Sequence, residues 1–293
     1  MTLALRGTIR AGVGRTFTRN GFVLIAGFLI VSLLQMGLIW LVSTTYLPLG
    51  SGTPVISTQH TGPTPGTSPS LLVTVVSVIL VSVTGGFFTI PVQIVAVRTM
   101  VSRHTNRIPE EFVFHNMGWA VLHTLLGTWL AVILVGALAI GSLLFSGFLL
   151  FSVIGHSTQM WLIGHWLGWI GIGLFVLVLL LPSVFLHLSL LFICHEISIK
   201  DKNMIEAITG SWRYSRGNRL RLLGIVLITY SLSFVVSLIF NLGLRVAAGF
   251  GPVLVQGVVI VALSIVQIVI VAVMARAYVA VNDDSLMIVA ATV

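Results

Sequence analysis

The chain has 293 residues, of which 57% are hydrophobic and only 8% charged, and its mean hydropathy is +1.12. Soluble domains carry about 25% charged residues, so this composition excludes a water-soluble enzyme domain, a disordered chain and a disulfide scaffold. The net charge of +8, from 15 Lys and Arg against 7 Asp and Glu, sits in short segments beside apolar runs. There it reads as membrane topology and attraction to anionic lipid, with no nucleic-acid partner implied.

Arg6, Arg10, Arg15 and Arg19 precede an apolar run from Gly21 to about Val42. That run exceeds the roughly 7–15 residues of a signal-peptide core, and no small-x-small cleavage site follows, so it reads as a retained first span. No Asp, Glu, Lys or Arg occurs from Asn20 to Val97, Phe112 to His195, Leu222 to Leu244 or Val246 to Ala275. A helix needs about 20 apolar residues to cross a core of roughly 30 Å. The first two stretches each hold two crossings and a loop, and the last two hold one each. The expected fold is therefore all-α and polytopic, with six transmembrane helices near 22–46, 71–99, 117–145, 161–193, 220–243 and 253–280. Barrel strands of about 10 residues fit neither the lengths nor the pattern.

Aromatic residues mark the span ends: Trp40 and Tyr46, then Trp161, Trp166 and Trp169, and on the opposite side Trp119 and Tyr278. Residues 141–160 either extend the third span or lie flat at the interface. Pro48, Pro54, Pro63, Pro65 and Pro69 make 48–70 a flexible outer loop without charge. With this threading, all 15 Lys and Arg residues except Arg245 fall on one side, as do all 7 acids. The positive-inside rule predicts a multi-pass cell-membrane protein with both termini cytoplasmic.

The segment 203–216 reads as a cytoplasmic interfacial helix. Met204, Ile205, Ile208 and Trp212 share one helical face, and Glu206, Thr209, Arg213 and Arg216 another. Asn203 and Glu206 form an N-cap pair, and Gly217-Asn218 supplies a stop. The same design precedes the first span, where Phe17-Thr18-Arg19-Asn20-Gly21 parallels Tyr214-Ser215-Arg216-Gly217-Asn218. Pro109-Glu110-Glu111 starts a third such helix. Three helical hairpins, each led in by a short amphipathic helix, are expected.

The run Glu206-Ala207-Ile208-Thr209-Gly210-Ser211-Trp212-Arg213-Tyr214-Ser215-Arg216-Gly217-Asn218 resembles a segment leading into a late span in a diffuse group of six-span bacterial and archaeal membrane proteins of unknown function. That group is similar to the membrane domain attached to some glycerophosphodiester phosphodiesterases. The resemblance implies architecture and no catalytic residues, since only a short segment follows the last expected span.

Candidate chemistry is sparse. His123 and His187 are expected inside the membrane, with Gln93 and Gln267 on the second and sixth spans, as an intramembrane polar site. No metal-ligand spacing accompanies these histidines, so neither metal nor cofactor is expected. The dyad His195-Glu196 reads as a solvated span end. Arg98, Arg213, Arg216, Arg219, Arg221 and Arg276 are candidate lipid- or anion-binding residues, with snorkelling as the plain alternative. Gly85-Gly86, Pro91 and Pro182 interrupt the second and fourth spans, as transporter breaks do, although tolerated kinks have the same composition. The expected function is non-enzymatic: a basic cytoplasmic face contacting anionic lipid headgroups or partner membrane proteins. The alternative is a small-solute or lipid transporter or channel with its site between spans 2, 3 and 4.

Overall fold

A computed structural model describes residues 4–46, 71–102, 104–152, 166–246 and 252–282. Among these every regular element is a helix: α1 (Leu5–Thr16), α2 (Arg19–Tyr46), α3 (Leu71–Val101), α4 (Glu110–Phe114), α5 (Met117–Ser152), α6 (Trp166–Leu190), α7 (Ile193–Lys200), α8 (Met204–Ser215), α9 (Arg219–Val246) and α10 (Pro252–Val281). The expected outer loop 48–70 lies outside the described residues.

Charge-free apolar sequence forms long helices because a helix satisfies its own backbone where no water can. Among the described residues five segments are long and apolar enough to cross a bilayer: Arg19–Leu38, Met117–Phe148, Gly173–Lys200, Arg219–Ile239 and Gly257–Val281. In α3 the corresponding described stretch is the shorter Gly86–Val101. Helix α5 continues to Ser152, so the first part of 141–160 extends the third span; residues 153–160 lie outside the described residues.

The fourth expected span, 161–193, departs from its predicted form. Helix α6 runs unbroken through Pro182 and stops at Leu190; the chain turns at 191–192 and resumes as α7. Pro91 likewise lies inside a continuous α3. The break thus falls at Leu191-Phe192, where neither residue is a helix breaker.

The short helices form as their caps dictate. The Asn203 side chain accepts the Glu206 backbone N–H at 2.9 Å, and Gly217 takes φ +91 between α8 and α9. Both α1 and α8 have 12 residues and bury small side chains four apart: Thr8, Gly12 and Thr16 in one, Ala207, Ser211 and Ser215 in the other. Spacing of four keeps such residues on one stripe. Helix α4 has five residues and buries none. The expected membrane-facing apolar residues Ile205 and Trp212 do lie outward, while the small stripe turns toward protein.

The core concentrates at the charged end. Leu24 and Phe28 of α2, Val97 and Met100 of α3, Phe192, Leu222 and Ile225 of α9, and Val273 and Tyr278 of α10 pack together there. Toward the other end the helices turn large apolar side chains outward, among them Ile133, Leu144, Leu177 and Phe234. That is the surface a lipid solvent requires.

Helix α1 docks on α10 so closely that a Cβ on Gly12 would lie 2.6 Å from Val273 Cα, whereas one on Gly14 would meet nothing within 4 Å. Gly12→Ala should therefore cost about 1–3 kcal/mol through overpacking. Gly14→Ala should gain up to about 1 kcal/mol in helix propensity. Thermal unfolding in detergent, with tryptic cleavage at Arg10 as the local probe, checks this; equal behaviour of the two variants contradicts the docking.

Candidate functional site

Helix α7 and its C-terminal turn carry two connected polar networks at the charged end. The first centres on Glu196, whose side chain is 0% exposed. Its Oε1 accepts from the Tyr278 hydroxyl and lies 3.5 Å from Lys200 Nζ; its Oε2 accepts from Lys202 Nζ. Lys200 Nζ donates to the Tyr214 hydroxyl at 3.0 Å, and Asn282 Nδ2 donates to the Tyr278 hydroxyl at 3.0 Å. Taking a carboxylate out of water costs several kcal/mol unless paired charges and hydrogen bonds offset it. Here two ammonium groups and a phenol do so.

Two residues of α8 make this geometry possible. A Cβ on Gly210 would sit 2.5 Å from Glu196 Oε2 and 3.2 Å from Lys202 Nζ, so only glycine lets the helix approach the carboxylate. Ser211 fills the α6–α7 break: its Oγ accepts the Phe192 backbone N–H at 3.0 Å and donates to the Ser189 carbonyl at 2.8 Å. A break that would orphan backbone groups is thereby satisfied.

The solvated-end reading of His195-Glu196 is corrected by this arrangement. His195 is buried, its ring stacked on Tyr278 at 5.3 Å and edge-on to Phe192 at 5.6 Å. After the turn at 191–192, α7 buries Ile193, His195, Glu196, Ile197 and Ser198. Tyr278 is corrected likewise: it is fully buried and bonded to Glu196, not an interfacial anchor. Trp119 keeps an exposed position.

The second network holds Arg98, 7% exposed. Its Nε donates to the Ser198 carbonyl at 2.7 Å, and its Nη1 to the Phe112 and His115 carbonyls at 3.1 and 2.8 Å. Its Nη2 lies 3.5 Å from Asp201, which also meets His115 Nε2 at 3.1 Å. Arg98 thus ties α3 to α7 and to the α4–α5 turn. At the neighbouring corner, Asn20 Nδ2 donates to the His104 and Arg107 carbonyls, and Arg15 to the His104 and Ser102 carbonyls. Burial, and secondarily the Arg276 charge, lowers the Arg15 pKa from its ordinary value.

The remaining expected residues are distributed as follows. Arg213, Arg216 and Arg221 are exposed, and Arg276 is half-buried. Arg219 is half-buried, with its guanidinium over the Phe185 ring. His123 Nδ1 accepts the Met204 N–H at 3.3 Å, helping to cap α8, and its ring lies 3.9 Å from that of Trp119. His187 lies 6.4 Å from Tyr230. Gln93 and Gln267 are half-buried. Among the described residues no hydrogen bond or ring contact joins these last four to one another, and no His, Cys, Asp and Glu group could hold a metal ion. Sequence reasoning missed Lys200, Lys202, Tyr278, Gly210 and Ser211. The available signal was the small-residue stripe of α8, which marks close packing.

The fold and its buried polar end define a helical protein with several membrane-type helices. The chain belongs to the DUF7847 family, described as a domain of unknown function, whose family model matches residues 3–282. No curated protein and no solved structure matches the chain, and the family match brings no link to the phosphodiesterase-associated membrane domain.

Replacing Glu196 by Gln leaves two ammonium groups without their shared anion, an expected loss of about 3–5 kcal/mol. Ser211→Ala orphans Phe192 N–H and should lose about 1–3 kcal/mol. Thermal unfolding of the purified variants ranks them; a Glu196→Gln protein as stable as the original refutes the keystone role.

Proposed function

We propose that this chain is a six-span, non-enzymatic protein of the cell membrane whose basic end and both termini face the cytoplasm, and that this face contacts anionic lipid headgroups. Helix α3 supplies the sixth crossing: Gly86–Val101 is already apolar, and the helix extends from Leu71. The observation that carries the lipid reading is a girdle of outward apolar side chains beside arginines. Phe17 lies between Arg15 and Arg19; Ile205 and Trp212 share α8 with Arg213; Leu220, 84% exposed, lies between Arg219 and Arg221. Apolar anchors flanked by cations suit the boundary between acyl chains and anionic headgroups. The likeness of 206–218 to the phosphodiesterase-associated membrane domains belongs to this proposal as architecture only.

Reporter fusions near residue 60 and near residue 210 are expected to report opposite compartments; the same compartment for both rejects the threading. A basic residue near an anionic surface contributes about 1 kcal/mol. Joint Arg213→Gln, Arg216→Gln and Arg221→Gln substitution should thus lower co-purified phosphatidylglycerol at least about tenfold, with phosphatidylcholine unchanged. Mass spectrometry of bound lipid reads this, and undiminished phosphatidylglycerol counts against lipid contact.

A further inference from the structure

We propose that Arg219, with Phe185 and Trp212, forms a defined site for the phosphate of an anionic membrane phospholipid; this deepens, and rests on, the lipid-contact reading above. The Arg219 guanidinium carbon lies 3.9 Å from the Phe185 ring centroid and 5.2 Å from that of Trp212. The two rings meet edge-on at 5.7 Å. Aromatic support uses the face of a guanidinium and leaves its N–H edge for an acceptor. Among the described residues Arg219 makes no hydrogen bond, and its Nε is buried without a partner. The two Nη groups are therefore the donors left for an acceptor, and the two rings hold them in place.

Charge selects the occupant. Among the described residues no carboxylate lies within 4.0 Å of Arg213, Arg216, Arg219 or Arg221. By contrast, Lys200, Lys202 and Arg98 all have acidic partners. The uncompensated cations call for an anion, and a phosphodiester matches the guanidinium fork. The surroundings select a lipid over a soluble anion: Phe185, Trp212 and Leu220 are all exposed, and Val184 beside them is too. These side chains offer apolar surface to the glycerol and upper acyl region while Arg219 takes the headgroup phosphate. Helix α9 begins at Arg219, so its positive end adds to the attraction without itself defining the site. Arg219 is thus preorganised between two rings, whereas Arg216, Arg221 and Arg213, the last 5.9 Å from the Tyr214 ring, are exposed and supply general attraction.

The test uses the full chain in vesicles containing brominated phosphatidylglycerol or brominated phosphatidylcholine at equal mole fraction. Quenching of Trp212 is taken as the difference between the unchanged chain and Trp212→Phe, since the chain has 7 tryptophans. The site requires phosphatidylglycerol to quench Trp212 at several-fold lower mole fraction than phosphatidylcholine, and Arg219→Gln to remove that preference. Arg219→Lys, which keeps the charge but loses the stacked fork, should reduce the preference at least about threefold and decides the matter if the Gln variant does not fold. Equal quenching by the two lipids, or an unchanged preference in the deciding variant, overturns the site. Displacement of the quenching by millimolar inorganic phosphate also overturns it, because the occupant would then be a soluble anion. If Arg213→Gln, Arg216→Gln and Arg221→Gln lower bulk lipid retention while Arg219 proves irrelevant, the broader reading survives and this site alone falls.

Discussion

The arrangement of the charged end depends on the neutralisation of one carboxylate. Glu196 has no surface in water, and its partners come from three places: Tyr278 on α10, Lys200 on its own helix, and Lys202 on the linker to α8. Such an ion has few acceptable positions, since a shift that lost one partner would expose the full desolvation cost. It therefore sets the rotation of α7, the approach of α8 and the register of α10 together. Gly210 keeps the carboxylate's space open, and Ser211, one residue on, completes the α6–α7 break. The start of α9 follows within a few residues through Gly217, and with it the placement of Arg219.

The two long surface helices are variations of one device. In α1 and in α8, small residues spaced by four let a helix lie close against the bundle, and a short turn then feeds a long apolar helix. The turns differ by one residue: 17–18 after α1, 216–218 after α8. What recurs is thus the buried stripe more than the five-residue match at the turns. Helix α4 lacks the stripe and is held from outside, by the hydrogen bonds of Arg98 to the Phe112 and His115 carbonyls. A short helix that buries nothing has to be tethered by its neighbours.

Much of this fold was legible because lipid and water impose simple rules on composition. The expected 22–46, 220–243 and 253–280 correspond to Arg19–Tyr46, Arg219–Val246 and Pro252–Val281. The absence of charge marks such helices, and nothing subtler is needed. The cap at Asn203 was legible for the same local reason. The break at Leu191-Phe192 was not, because the residue that makes it tolerable, Ser211, comes from another helix. Nor was the burial of His195, Glu196 and Tyr278: near a span end, a polar residue that faces headgroups and one that faces protein have the same local sequence. The six candidate arginines look alike as basic residues near span ends. Only packing separates Arg98, enclosed by carbonyls, from the exposed Arg213 and Arg216.

The contact of Gly12 with Val273 joins positions far apart along the chain. As the polypeptide emerges from the ribosome, α1 exists long before the surface it is shaped to meet. Until α10 arrives, its small-residue stripe has no counterpart, and the loop to be closed spans nearly the whole chain. Non-local closure of this kind slows assembly. The contact therefore acts as a latch that closes only once α10 has been made.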